Sequence, residues 1–565
     1  MLFRKIPTLL LAAFALLAMA SCKKSNTQGR YIPADASLIV HVNGASLNQK
    51  LPWDNVKQNE LFKLMYADTS LSSIAKSALD NPENTGVDTK NDLLFFMVND
   101  SAGSYVAFEG TIKDAAKFKA YNTASVKNAT ASQKDGVDYL SNNEVTVSWK
   151  ENRFIIVADA PERKISYPKN PWMDSAFKQL NIDTTQKLVS SVARNGVQTA
   201  SLLHSLTEDN SLGKNERFGK LVSDKADMHF YVNIEGMSKM NAGMPGMPGM
   251  NMINFSKLTE GAVATGSANF ADGKIDVDMM FYAGKEMTNL WKKYGGTKIN
   301  DDLLKRLPAK NIAIFMAMNF QPEGLKEFAK ITGLEGLVSL GAPMFGFTLD
   351  DFIKANKGDL IFSVSNLTSD SSGKSIANIF FATSVKDKPS FDKLVAAGKK
   401  FGSEVSGKIN SPLFFNYNEQ YFSIGNNQAS VDQFATKPTG NTVDLYKKIV
   451  EGPIAGYVNL QYIINSAQGS SSKDSLSQAA INASAKMWDN IMISGGNFKN
   501  DGLSQHVEIN LLDKSTNSLK QLNTYMGIMG SLASQKKEQQ KAGDITELRL
   551  TGTTSPGNDS TALVE

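Results

Sequence analysis

Pro33-Ala34 and the short apolar run from Leu38 to Val42 return about 270 residues downstream as Pro308-Ala309 and the run from Ile312 to Met318. The same order of cues continues. Asp92-Leu93-Leu94-Phe95 is echoed by Asp359-Leu360-Ile361-Phe362, and Ile112-Lys113-Asp114 with Phe118 by Val385-Lys386-Asp387 with Phe391. Trp149, Glu151 and Phe154 are echoed by Tyr417, Glu419 and Phe422, and Tyr231-Val232-Asn233 by Tyr457-Val458-Asn459. Matches that keep their order at a nearly constant offset point to an internal duplication. The period is far longer than that of a solenoid or propeller, so the expected product is two similar lobes. Lobe one is placed at 31–300, with sub-units 31–160 and 226–300. Lobe two is placed at 301–540, with sub-units 306–428 and 454–530.

Within a lobe the pattern is α+β, with antiparallel sheets and packed helices. Leu38 to Val42 reads as a strand, followed by helical spacing around Leu61, Phe62, Leu64 and Met65. Leu93 to Val98 and Tyr105 to Glu109 flank Asp100-Ser101-Ala102-Gly103, a hairpin signal. Asp114 is placed as the N-cap of the next helix, since its carboxylate can accept backbone N–H groups of the first turn. Further strands are expected near Val137 to Leu140, Val145 to Trp149 and Phe154 to Val157. The opening order resembles a ferredoxin-like unit with an added hairpin. Ala262 to Tyr282 and Ile491 to Leu512 read as long hairpins, with Asp272-Gly273 and Asp501-Gly502 at their turns.

The start of the chain carries an address. Basic Arg4 and Lys5 precede an apolar run from Leu9 to Ala20, then Ser21 and Cys22, the one cysteine of the 565 residues. This is the layout of a secretory signal over 1–21, and Ala20-Ser21-Cys22 resembles a lipobox that leaves a lipidated Cys22 at the mature N-terminus. A membrane span needs roughly 20 apolar residues, more than this run offers. The expectation is a lipid anchor, a tether over 22–30 and a disordered tail over 551–565. Lys23 and Lys24 after the cysteine, by resemblance to sorting rules, favour the outer membrane and its periplasmic side.

The body resembles uncharacterised envelope lipoproteins of Bacteroidota, in which a lipobox is soon followed by an opening like Ile32-Pro33-Ala34-Asp35-Ala36 and Ile39-Val40-His41-Val42-Asn43. The resemblance implies an envelope location and carries no activity.

Few residues advertise chemistry. His41, His204, His229 and His506 have no ligand-motif spacing, and the lone cysteine is committed to lipid, so no zinc or iron–sulfur site is read. No nucleophile elbow is present. Asp276 and Asp278 alternate on a strand and share one face, read as the solvent face of a hairpin with Ile275, Val277 and Met279 inward. Asn43, Asn233, Asn319 and Asn459 recur with the repeat as local caps. Met244, Met247 and Met250, in a Gly-Met-Pro run, offer thioethers suited to Cu(I), but the matching segment of lobe two is the plain Gly469-Ser470-Ser471-Ser472. An inert loop is the reading adopted there.

With 60 basic against 56 acidic residues the chain lacks the excess of a nucleic-acid binder. The expected role is non-catalytic binding or structure in the cell envelope, with no cofactor. The membrane is contacted through the lipid, and the further partner is an envelope protein or small ligand. An envelope hydrolase and a glycan-binding outer-membrane lipoprotein are the alternatives.

Overall fold

The computed structural model describes residues 27–67, 71–100, 103–159, 194–240, 255–307, 311–335, 346–369, 375–405, 413–436, 449–468 and 475–551. Cys22 with its leader, the loop holding Met244, Met247 and Met250, and the tail beyond 551 lie outside these residues.

Among the described residues, eighteen strands join in one antiparallel sheet. The first ten are β1 (Leu38–Val42), β2 (Leu93–Asp100), β3 (Gly103–Thr111), β4 (Thr130–Lys134), β5 (Val137–Ser141), β6 (Val145–Lys150), β7 (Arg153–Asp159), β8 (Met228–Asn233), β9 (Val263–Ala271) and β10 (Lys274–Tyr282). The other eight are β11 (Ile312–Asn319), β12 (Asn356–Ser369), β13 (Ser375–Val385), β14 (Phe414–Tyr417), β15 (Tyr421–Gly425), β16 (Ile454–Val458), β17 (Trp488–Lys499) and β18 (Gly502–Leu511). The two sets meet where β10 pairs with β18, from Lys274 opposite Asn510 to Phe281 opposite Leu503.

Outward from that seam the lobe-one order is β10, β9, β8, β1, β2, β3, β7, β6, with β5 and β4 beyond. The lobe-two order is β18, β17, β16, β11, β12, β13, β15, β14. The succession is the same on both sides, strand for strand, over eight strands.

The ferredoxin-like expectation is corrected. That topology would seat β1 beside β3, whereas β1 pairs with β2 and β8. Val42 lies opposite Leu93, so the helical segment between them leaves and rejoins the sheet at one end and cannot act as a crossover. One hairpin turn is also shifted. Asp272-Gly273 is the two-residue turn of β9–β10, with Gly273 at φ +68°. In lobe two the turn is Asn500-Asp501, at φ +50° and +59°, and Gly502 already belongs to β18. Asn and Asp tolerate the left-handed region, and Asp501 stands where lobe one has Gly273. Strand β4 was not foreseen because all five of its residues are exposed and no apolar alternation marks it.

Helices cover the sheet unevenly. Ala200, Leu203, Phe218 and Val222, from helices Gly196–His204 and Glu216–Val222, pack on Ile39, Leu94, Phe96 and Ile155. Leu303, Leu304, Val431 and Phe434 do the same in lobe two, on Phe315, Ile361 and Phe380. On the opposite face, helix Ala115–Ser125 buries Phe118 against Val147 and Phe154, and helix Lys388–Val405 sets Phe391 and Val395 beside Val385. Each fully buried large apolar side chain contributes roughly 1.5–3 kcal/mol. Asp114 caps its helix as expected, accepting from Lys117 N at 3.0 Å. The expected tether is docked from Thr27, where a 3₁₀ turn begins and Gln28 donates to Asp92. Helix Ser518–Thr551 reaches back to lobe one, with Asn59 donating to the Asn523 carbonyl. No helix among the described residues is long and apolar enough to cross a membrane.

Candidate functional site

Strand alternation at the seam sorts side chains by polarity. On one face, Ile275, Val277, Met279 and Phe281 of β10 stand opposite Ile509, Val507, Gln505 and Leu503 of β18. On the other face polar rows cross the four central strands. Ser267, Asp278, His506 and Ser494 form one row. Asn269, Asp276, Glu508 and Met492 form the next, and Thr265, Met280, Ser504 and Asn497 a third.

That polar face floors a cleft of about 490 Å³. Arg217, Lys220 and Leu221 of helix Glu216–Val222 flank it on the lobe-one side, and Glu451 and Gly452 on the lobe-two side. The Arg217 guanidinium stacks 4.2 Å above the Tyr282 ring, which fixes a cation at the rim.

From Asp278 and His506 on the floor a compact charge network runs along β10 and β18. His506 Nδ1 lies 2.9 Å from Asp278 Oδ1, and His506 Nε2 lies 3.8 Å from Asp276 Oδ1. Lys274 Nζ sits 2.8 Å from Glu508 Oε2 and 3.0 Å from Asp276 Oδ1. Burial pushes the Glu508 carboxyl up, but the bonds from Lys274 and Asn510 outweigh it and hold the group below its ordinary value. The bond to Glu508, with the Asp276 carboxylate close beside it, raises Lys274 in turn, so the ammonium is retained.

A second polar group lies inside lobe one, beside the cleft. His41 and His229 face each other across β1 and β8, both buried, with Nδ1 atoms 2.9 Å apart. His229 Nε2 lies 2.7 Å from Asp224, which lines the cleft, and His41 Nε2 lies 3.4 Å from Asp92. Glu109, fully buried, is paired with Arg153; burial pushes its carboxyl up to about 7 against that pull. His204 Nε2 is 3.1 Å from Ser148 Oγ, whose hydroxyl donates to the Ile155 carbonyl. Burial and then Lys150 lower His204 to about 4. Among the described residues no carboxylate orients this imidazole by a hydrogen bond, so Ser148 and His204 do not form a triad.

The structure brings Asp276 and Asp278 to one face as the alternation predicts, but it adds Lys274, His506 and Glu508 around them. Sequence spacing missed this because Asp278 and His506 are 228 residues apart. The signal available was the pair of repeated hairpins, whose second strands adjoin. Asn43, Asn233 and Asn459 cap as expected, accepting from Ser46, Gly236 and Tyr462 N. Asn319 differs, accepting from Thr297 N and donating to Asp359.

No curated protein matches the chain. Three crystal forms of TP0453 show a weak structural likeness. Form I has 10% identity and a TM-score of 0.24, covering 46% of this chain and 81% of that one. Form III has 11% and 0.23, with coverage of 47% and 82%, and form IV has 10% and 0.24, with coverage of 44% and 80%. Residues 29–193 match DUF4836, a domain of unknown function.

Proposed function

We propose that this protein is a lipid-anchored, periplasm-facing component of a bacterial outer membrane that binds a small polar ligand, without converting it, at the seam of two duplicated lobes. The observation that carries the reading is the open cleft on the polar face of β9, β10, β18 and β17, lined by hydroxyl, amide and charged groups from both lobes. Ligand sites favour such junctions, and this lining suits a ligand rich in hydroxyl, amide or zwitterionic groups. The matching strand order on the two sides of the seam supports descent from a duplication.

The anchor rests on the leader and Cys22. Each acyl methylene buried in the bilayer contributes about 0.8 kcal/mol, so several chains on one terminus hold durably. Labelled palmitate should enter the wild-type chain and not Cys22→Ser; equal labelling removes the lipoprotein reading. For the ligand, a thermal-shift panel of sugars, amino acids and short peptides should give a stabilising compound. Ser494→Trp, which fills the cleft floor, should abolish that shift. A shift retained in Ser494→Trp would place the site elsewhere. Turnover of a panel compound, lost on replacing a histidine, would favour the hydrolase instead.

A further inference from the structure

We propose that the seam binds one divalent transition-metal ion of the zinc class through Asp276, His506 and Glu508, with Asp278 orienting the imidazole. One donor atom from each of the three ligands lies within 4.8 Å of the other two. Tetrahedral zinc holds oxygen and nitrogen donors at about 2.0–2.2 Å, which places them about 3.4 Å from one another. Small side-chain rotations close that difference.

The imidazole is already set for the task. Asp278 Oδ1 at 2.9 Å fixes the proton on His506 Nδ1, leaving the Nε2 lone pair towards Asp276. A carboxylate on the far nitrogen is the usual outer support of a ligating histidine. Asp276 Oδ1 supplies a second, independent sign. It is shielded from solvent and accepts no hydrogen bond of good geometry. Lys274 is near it as a charge and does not satisfy it as a donor.

Lys274 fills the cation position in the absence of metal. Its side chain is 38% exposed, and a lysine stem is long and flexible, so the ammonium can swing out when an ion enters. The lysine is therefore a built-in competitor. One imidazole and two carboxylates suit zinc, cobalt or manganese, and are too few for calcium, which takes six to eight oxygens. The ligands come from β10 and β18, so the ion staples one lobe to the other. Because it needs no second ligand in the cleft, this site stands or falls separately from the binding reading above.

The test is calorimetric titration of the metal-stripped full chain with Zn²⁺ alone. One ion per chain is expected, with Cys22→Ser unchanged. His506→Ala and Glu508→Gln should weaken binding by at least about tenfold, and Asp278→Asn by about tenfold. Lys274→Met should tighten it several-fold, a gain that misfolding cannot imitate. Co²⁺ added to the wild-type chain should give visible absorption bands that Zn²⁺ abolishes. Absence of saturable Zn²⁺ binding, wild-type affinity in His506→Ala, or no tightening in Lys274→Met would overturn the proposal.

Discussion

Lobe one and lobe two share a strand order and differ in what they bury along it. Across β3, β2, β1 and β8 one row reads Glu109, Leu94, His41, His229. The corresponding row across β13, β12, β11 and β16 reads Ala382, Ile361, Ala317, Ala455. Three ionisable side chains in one lobe stand where the other has three alanines, all six of them buried. Backbone pairing therefore specifies the sheet, while side-chain chemistry inside it is free to diverge where each ionisable side chain has at least one partner. The partners are Arg153 for Glu109, Asp224 for His229, and His229 for His41. Even the acid that directly precedes the matching Leu93 and Leu360 differs. Asp92 is partly exposed beside His41, whereas Asp359 is buried, bonded by Asn319 and Ser384.

The largest effect expected from breaking this contrast is Ala382→Glu. It places a carboxyl at a fully buried site of lobe two where no arginine corresponds to Arg153, and should cost more than about 3 kcal/mol by urea unfolding. A cost below about 1 kcal/mol would mean that the lobe-two interior accommodates charge as lobe one does.

Glu109 should make stability pH-dependent. Its carboxyl is raised in the fold to about 7 from an ordinary 4.5. The folded state thus holds a proton that the unfolded chain releases between those values. Its contribution is full below about 4.5 and is lost as pH rises through about 7, a change of about 3 kcal/mol. Glu109→Gln should flatten that slope in pH-resolved urea unfolding. His204 has the opposite sign, because it is lowered to about 4 from 6.5. Its contribution is present above 6.5 and is lost as pH falls towards 4, so His204→Gln should remove an acid-side loss. An unchanged profile in both variants would contradict the burial assigned to these groups.

Smaller still is the histidine pair. His41→Ala leaves His229 Nδ1 buried without its partner and should cost about 1–3 kcal/mol. His41→Ala with His229→Ala, the lobe-two arrangement, should cost less than the sum of the single changes, because the two act as one unit. Strict additivity would mean that the Nδ1 contact carries no coupling. Smallest are the helix caps that the lobes share. Asp114 accepts from Lys117 N and Asp387 from Ser390 N. Alanine at either should cost about 1 kcal/mol, and equally, since here the lobes agree.

Much of the fold was legible in the sequence because its cues are local. The alternation of Leu38 to Val42, the cap at Asp114 and the turn at Asp272-Gly273 are each fixed by neighbours within a few residues. The repeat then indicated that what held for β1 would hold for β11. Pairing partners were not legible, since nothing local states that β1 sits beside β8 or that β10 meets β18. For the same reason the site was half visible. Asp276 and Asp278 declared a shared face by their spacing, but His506 and Glu508 join them only through a seam between strands from opposite ends of the chain. His41 and His229 are likewise opposite each other only once the register of β1 on β8 is known. Arg153 becomes the partner of Glu109 through the pairing of β3 with β7.

Native mass spectrometry of the chain purified gently from its native source tests most directly whether the seam cleft holds a ligand, as proposed. The wild-type protein should carry a small non-covalent mass that collisional activation removes, and Ser494→Trp should lack it. The same adduct on both proteins, or none on the wild type, would contradict a cleft that holds a ligand.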